Sequence, residues 1–445
     1  MQDNYMARKV FISFLGTNNY VECFYSTDEH YPVRFVQEVL IRDICNNWTS
    51  DDRIYIFCTS GAEESNWVDN GQPKPIEEID KIGLKTRLDG LHLVPTVEKV
   101  QIDEGFSEEG IWTIFDTVYS KLNNGDEIYF DVTHAFRSIP LFSVVLFNYS
   151  RFMKDTKIMT IKYGAFEKLG PAFEVRKKKL QERGVAPMLD LTDIARLQEY
   201  NEMASSLVNF GKTKKLSSAL QQKDAEDKIL DELCQAVTNL DEFIATNQLS
   251  EIRNGKFIAK FRCNVKSGAK QQPKPIKEIL NKIKSETSNF VASKDNRNIE
   301  AAIMWAKEHD MLAQTYSLAE EYIVLRIAES FVQMNPFGKD NKARKQFREF
   351  ISLVLGLPEE VVTTTKEFHG VLAGHEPTIM NLWNNDFVQT IRPEYEKIRK
   401  RRNSIIHGNG EYPYHNDSQD DLDTDFYPIY NKCIEIINKF SKSCS

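Results

Sequence analysis

The 445-residue chain has no long uninterrupted run of apolar residues. Its longest apolar stretch, SIPLFSVVLFNY, is shorter than the roughly 20 residues that span a bilayer and suits a buried helix. The first residues also lack a basic start, an apolar core and a small-residue cleavage site, so we expect no export signal. The sequence therefore predicts a cytoplasmic protein without membrane segments.

Paired cysteines are also missing. The chain has 7 cysteines, an odd number, and no C-x-x-C spacing. This pattern argues against a disulfide framework or a zinc site and predicts reduced thiols and no metal cofactor. The cysteines are Cys23, Cys45, Cys58, Cys234, Cys263, Cys433 and Cys444.

An excess of positive charge and the common phosphate-binding motifs are absent as well. The net charge is −8 and the pI is about 5.7, which argues against a protein that coats nucleic acid, although a local basic patch can still guide RNA. Neither G-x-G-x-x-G nor G-x-x-x-x-G-K-[ST] occurs, which excludes the usual dinucleotide and P-loop sites.

The predicted secondary structure changes near the middle of the sequence. In the first part, apolar β-rich runs such as RKVFISFLG, RIYIFCTSG, TVEKVQID, DEIYFDVTH and KIMTIKYGAF alternate with helical patterns. Strands that are apolar on both faces and separated by helices predict a doubly wound, mainly parallel sheet. From about Pro187 onward, apolar residues recur at helical spacing, which predicts an all-helical part.

The length and this change of texture predict two domains. We assign residues 1–170 to a Rossmann-like α/β domain and residues 191–445 to a helical domain with insertions. The segment between them, 171–190, is charged and punctuated by glycine and proline, which is typical of a connector.

Polar residues follow three of the predicted strands. Ligands bind beyond the carboxyl ends of strands in open α/β sheets, so these residues are candidates for one binding rim. Glycine permits close backbone approach, hydroxyls and amides form neutral hydrogen bonds, and His134 and Arg137 add possible charge for a phosphate. The candidates are Gly16, Thr17, Asn18, Thr59, Ser60, Thr133, His134 and Arg137. Several also have an ordinary explanation: the Gly-Thr-Asn loop as a turn, Thr133 as a helix N-cap and His134 as a structural histidine.

The segment RPEYEKIRKRRNSIIHGNG places an arginine and a histidine on one predicted helix. Pro393 suits its first turn and Gly408 or Gly410 its end, so His407 would lie on the last turn. There the helix dipole favours the imidazolium form. Such a pair can hold a phosphate with Arg402 and move a proton with His407, and RNA supplies its own 2′-hydroxyl nucleophile.

The alternative for this segment is a solvated basic helix end that balances acidic neighbours. A second R-x-x-x-x-H, from Arg87 to His92, is broken by a turn and is attributed to chance. One arginine and one histidine are few groups for acid-base chemistry, so a composite site across a homodimer follows naturally. Both side chains are then expected to face an open cleft.

Together, FLGTNNY, DVTHAFRSIP, IKYGAF and RNSIIH, in this order, resemble the CRISPR-associated CARF-HEPN ribonucleases of type III systems. The resemblance covers nearly the whole chain. It implies a CARF domain that dimerises and binds a cyclic oligoadenylate, with cyclic tetra-adenylate preferred over the hexa-adenylate. It also implies a HEPN domain that cuts single-stranded RNA without metal, in a homodimer or a higher oligomer.

The resemblance also assigns residues. It places Arg402 and His407 at the ends of the R-x4-H motif, with Asn403 as the polar residue that follows the arginine. The first ligand loop takes Gly16, Thr17 and Asn18, and the second takes Thr133, His134 and Arg137, while Thr59 and Ser60 rest on the rim argument. Two other functions stay open: a ligand-sensing transcriptional regulator, and a ring nuclease that cleaves the activator in the α/β domain.

Overall fold

The computed structural model describes residues 7–72, 74–134, 139–211, 238–268, 274–364, 368–407 and 419–443. The chain divides into two compact units, Met1–Glu199 and Tyr200–Ser445. The first is built from a mainly parallel sheet with helices and the second from helices, which confirms the predicted fold class.

The first unit contains a six-stranded sheet and a smaller three-stranded one. The large sheet has the order β5-β4-β1-β6-β7-β9, and all neighbours in it are parallel except β7 and β9. The small sheet has the order β3-β2-β8. The strands are β1 (Lys9–Leu15), β2 (Cys23–Tyr25), β3 (Asp28–Val33), β4 (Arg53–Cys58), β5 (Thr96–Gln101), β6 (Glu127–Asp131), β7 (Lys157–Gly164), β8 (Val185–Ala186) and β9 (Met188–Asp190).

The direction of winding reverses at the centre of the large sheet. From β1 the chain adds β4 and then β5 on one side, and afterwards β6 and β7 on the other. The connections therefore diverge between β1 and β6, and their carboxyl ends leave a crevice there.

Helices cover this sheet on both faces because successive side chains of a strand point to opposite sides. Phe11 of β1 belongs to one buried cluster, and Val10 and Ile12 belong to the other. The helices of this part are α1 (Val36–Ile44), α2 (Ser60–Ala62, continued by a π-helical turn at Glu63–Trp67), α3 (Leu84–Asp89), α4 (Glu108–Ser120), α5 (Ile139–Lys154), α6 (Ala172–Lys177) and the beginning of α7 (Thr192–Phe210), whose residues from Tyr200 onward belong to the second unit.

The segment predicted as a connector, 171–190, contributes regular structure to the first unit. It forms α6 and two strands, of which β8 pairs with β2 and β9 pairs with β7. Several of its charged residues form ion pairs, among them Arg176 and Arg183. A charged, glycine-punctuated segment therefore folds back onto the sheets.

The regular secondary structure among the described residues of the second unit is all helical. Residues 238–245 are helical. The further helices are α8 (Leu249–Asn254), α9 (Lys256–Gly268), α10 (Lys274–Glu286), α11 (Arg297–Glu308), α12 (Leu312–Ser330), α13 (Asn341–Leu355), α14 (Glu359–Thr364), α15 (Glu376–Trp383), α16 (Asp386–His407) and α17 (Gln419–Ser443). Within the described residues, no helix combines the length and apolar character needed to cross a membrane.

Helix α16 begins earlier than the sequence predicts. Pro393, expected in its first turn, lies inside a helix that starts at Asp386. An internal proline removes one backbone hydrogen bond and costs about 3 kcal/mol. Phe387, Val388 and Ile391 are buried ahead of the proline, and their packing offsets that cost.

Candidate functional site

The three predicted strand ends do meet at one edge of the large sheet. β1 lies between β4 and β6, so the loops that follow these strands are neighbours. A Cβ atom added to Gly16 would lie 3.8 Å from the carbonyl oxygen of His134, and one added to Gly61 would lie 3.5 Å from Cγ2 of Thr17. The rim predicted from sequence is therefore a continuous surface.

The first loop is held from behind by a buried asparagine that the sequence reading missed. Nδ2 of Asn66 donates to the carbonyl oxygens of Gly16 and Asn18, each at 2.8 Å. Its Oδ1 accepts from Arg34 at 3.0 Å and from Gln72 at 2.9 Å. Because all these contacts use backbone or buried groups, the side chains of Thr17 and Asn18 stay exposed on the rim.

Thr59 and Ser60, at the end of β4, have different surroundings. Thr59 is fully buried, and its hydroxyl accepts a hydrogen bond from the Ala62 amide at 3.3 Å as the N-cap of α2. Ser60 is exposed, and its hydroxyl lies 3.1 Å from the side-chain amide of Gln101. Thr59 therefore shapes the loop, whereas Ser60 faces solvent.

A buried polar network lies directly beneath the rim. The Asp131 carboxylate accepts from the Ser13 hydroxyl at 2.7 Å and from the Thr133 amide at 2.9 Å. Gln37 of α1 donates to the Ser13 oxygen at 3.0 Å. Burial raises the pKa of Asp131. The only sequence signal for this network is an acid at the end of an otherwise apolar strand.

Thr133 links two parts of the rim. Its hydroxyl accepts a hydrogen bond from the Gly164 amide at 2.9 Å, which joins the loop after β6 to the end of β7. A Cβ atom at Gly164 would come within 2.7 Å of Tyr25 and Val36, so glycine is required by close packing. Thr133 is thus more than a helix cap, because it fixes the position of the neighbouring strand end.

His134 does not supply the charge expected from sequence. Its ring lies against that of Tyr20, tilted by 36° with 4.2 Å between centroids, and desolvation lowers its pKa to about 4. The imidazole is therefore neutral near pH 7 and offers a flat surface and neutral hydrogen bonds instead of a cation. Arg137, the other expected cation, lies outside the described residues.

A cavity of about 380 Å³ opens beside these loops. That size falls in the range of roughly 300–1,000 Å³ typical of small-molecule sites. Its lining combines rim residues with aromatic rings and a few polar groups: Asn18, Asn19, Tyr20, Val21, Tyr25, Arg34, Thr133, His134, Tyr163, Gly164, Phe166, Glu167 and Ala172. The rim is therefore concave at the crevice between β1 and β6.

A larger cleft of about 530 Å³ in the same unit has a different character. Its two arginines are already engaged, since Arg176 and Arg183 both pair with Glu77, and Lys177, Lys178 and Lys179 line it as well. Arg176 also pairs with Asp80 at 2.9 Å and donates to the Tyr20 carbonyl oxygen at 3.0 Å. This cluster braces the first loop, so we favour the smaller, aromatic cavity as the ligand site.

The helical unit has a candidate site centred on Arg402 of α16. The Arg402 Nε atom donates to Oε2 of Glu320 on α12 at 2.6 Å. The other carboxylate oxygen of Glu320 accepts from the Tyr395 hydroxyl at 3.1 Å, and Ser352 lies 3.2 Å from that hydroxyl. The Glu320 side chain is 6% exposed and that of Arg402 is 29% exposed. A buried carboxylate thus orients a partly exposed guanidinium.

Arg402 differs from other basic residues of α16 in its ion-pair partner. Lys397 pairs with Glu394 at 2.8 Å and Arg399 with Glu396 at 3.0 Å, which is the local charge balance expected of a solvated helix. Arg402 instead pairs across 82 positions of sequence. The hydrogen bond to Glu320 raises the Arg402 pKa further, so the guanidinium is always charged.

The other two residues of the predicted motif lie on the same helix. Asn403 is half-buried next to Arg402, and His407 is the last residue of α16. Five residues of helix separate Arg402 and His407 by about 7.5 Å along the axis. The His407 side chain and the glycines after it lie outside what the structure describes. In the described ranges, no group of three or more His, Cys, Asp or Glu side chains is arranged to hold a metal ion.

Comparisons with known proteins give a related sequence and a solved structure that aligns with the chain. No family model matches the chain. Over 196 residues it is 29% identical to the CRISPR-associated protein MJ1674 of Methanocaldococcus jannaschii, a match that covers 42% of this chain and 28% of that protein. Enterococcus italicus Csm6 bound to cyclic hexa-2'-fluoro-hexa-dAMP aligns over 98% of this chain and 94% of that chain, with a TM-score of 0.45 and 12% sequence identity. The sequence match confirms the relationship to CRISPR-associated proteins that the motifs predict.

Proposed function

We propose that the protein is a metal-independent endoribonuclease of type III CRISPR antiviral defence, activated by a cyclic oligoadenylate. The α/β domain, assigned to residues 1–170, binds the activator, and the helical domain, assigned to residues 191–445, cuts single-stranded RNA. The observation that carries the proposal is the pairing of Arg402 with the buried Glu320, which holds a permanent cation on the helix that ends in His407.

The chemistry of the helical site follows from these groups. In RNA the 2′-hydroxyl attacks the adjacent phosphodiester, so the protein has to stabilise charge and move protons. The Arg402 guanidinium stabilises the developing negative charge on phosphate, while His407 acts as general acid or base. Asn403 offers an amide for positioning the phosphate. A second copy in a homodimer doubles each group and forms one composite site.

The cavity at the rim is the proposed activator site. Asn18 lines it from the first loop, next to Gly16 and Thr17, and Thr133 and His134 line it from the loop after β6. The aromatic rings suit adenine bases, and a ring with internal two-fold symmetry suits a homodimer axis. The proposed activator is cyclic tetra-adenylate, with cyclic hexa-adenylate as the second candidate.

One cleavage experiment tests this proposal. Purified protein is incubated with labelled single-stranded RNA, with and without each cyclic oligoadenylate and with EDTA. We expect cleavage only with an activator, undiminished by EDTA, and products with 2′,3′-cyclic phosphate or 3′-phosphate ends. Cleavage that requires added magnesium or manganese would overturn the mechanism, and loss of the activator without RNA cleavage would favour a ring nuclease.

A further inference from the structure

The cavity at the rim has walls that suit a planar ring. Tyr20 lies against His134, and its ring also meets Phe35 edge-on at 5.6 Å. Tyr163 and Phe166 line the cavity as well. Offset aromatic surfaces bind flat heterocycles by stacking, which tolerates any base. Stacking therefore holds a base here without choosing which one.

One lining residue has the wrong charge for a phosphate site. Glu167, on the 3-10 turn Phe166–Leu169, places a carboxylate at the cavity. An ionised carboxylate repels phosphate and can only accept hydrogen bonds. The Glu167 carboxylate therefore complements a ligand group that donates a hydrogen bond. On the edge of adenine that donor is the exocyclic amino group.

The structure also holds this carboxylate in place. The Tyr163 hydroxyl donates to Oε1 of Glu167, and desolvation with the adjacent carboxylate raises the Tyr163 pKa to about 12, so it remains a donor. Gly164, next to Tyr163, is tied to Thr133 by the 2.9 Å hydrogen bond described above. The carboxylate is thereby anchored relative to the rim, and its second oxygen can accept from a ligand.

We propose that Glu167, oriented by Tyr163, reads the exocyclic amino group of a base stacked in this cavity and so makes the site selective for adenine. The inference rests on the proposed function, because it takes the ligand to be a cyclic oligoadenylate. Glu167 is the specificity-determining contact, and Tyr163 is a positioning residue that acts through it.

The test compares two rings that differ only at this group. The full-length protein is titrated by calorimetry with cyclic tetra-adenylate and with the corresponding ring of purine ribonucleotides, in which a hydrogen replaces the amino group and N1 stays an acceptor. A hydrogen bond to a charged group predicts about tenfold tighter binding of the adenine ring by the unaltered protein. Glu167→Ala should reduce this preference to less than about twofold, and Tyr163→Phe should give an intermediate value.

The neighbouring exposed Lys168 provides a matched control, since Lys168→Ala should leave the preference unchanged. Equal weakening of both rings by Glu167→Ala would assign that residue a structural role and overturn the inference. A 2′-deoxy ring tests the alternative that Glu167 contacts a ribose. In that case the deoxy ring binds more weakly than its parent ring to the unaltered protein, and the two rings bind equally well to the Glu167→Ala variant. Failure of the unaltered protein to bind either ring would overturn the activator site itself.

Discussion

The pair formed by Arg402 and Glu320 gives the sharpest prediction. Arg402→Ala removes the 2.6 Å contact and leaves the Glu320 carboxylate, 6% exposed, with a hydrogen bond from the Tyr395 hydroxyl. Breaking a buried ion pair costs about 3–5 kcal/mol. Because the Arg402 side chain is 29% exposed, we expect the lower part of that range or below, about 2–3 kcal/mol.

A double-mutant cycle separates stability from catalysis. Glu320→Gln keeps the shape and removes the buried charge, so Arg402→Ala in that background should cost only about 1 kcal/mol and give a coupling of about 1–2 kcal/mol. At about 2–4 °C per kcal/mol, Arg402→Ala should lower the midpoint of the helical unit by about 4–12 °C. The assay is thermal unfolding followed by circular dichroism, on the same samples used for RNA cleavage.

We expect Arg402→Ala to reduce the rate of RNA cleavage by at least ~10²-fold. Glu320→Gln should reduce cleavage about tenfold, because Arg402 keeps its charge but loses its orientation, and the double variant should be no worse than Arg402→Ala. Additive losses of stability, or full activity of Arg402→Ala, would refute the reasoning. The sequence alone predicts that Arg402 faces an open cleft and that its removal costs no stability. The ion pair with Glu320 predicts the loss of stability given above.

Three further predictions concern the α/β unit. The pKa of His134 is about 4 in the folded unit and near 6.5 in the unfolded chain, so the unfolded state binds a proton first as the pH falls. Stability should be fully present above pH 6.5 and fall between about pH 6.5 and 4, and urea unfolding of His134→Gln should lack this fall. Asn66→Ala should cost about 2–3 kcal/mol by leaving buried partners unsatisfied, and should weaken activator binding in calorimetry, whereas an unchanged affinity would contradict its supporting role. Arg137→Ala should raise the half-maximal activator concentration about ten- to a hundred-fold with an unchanged cleavage plateau, and loss of cleavage at saturating activator would reassign Arg137.

Much of the first unit follows from local pattern. Apolar runs bounded by polar turns predict five strands, β1, β4, β5, β6 and β7, and the structure places each of them within a few residues, whereas β2, β3, β8 and β9 are not among the predicted strands. Polar residues after those strands predict a rim, since the carboxyl ends of parallel neighbours share one edge. These predictions succeed because hydrophobic periodicity and turn residues act over a few positions and do not depend on the rest of the fold.

Local sequence pattern thus specifies the change from α/β to helical character, the polar strand ends at the rim and the helix that carries the R-x4-H motif. Long-range packing decided that β1 and β6 flank the crevice, that residues 171–190 fold back onto the sheets, and that Glu320 contacts Arg402. It also decided that His134 is neutral. The physical reason is that strand order, long-range ion pairs and desolvation depend on which distant segments pack together, and no local pattern records that choice.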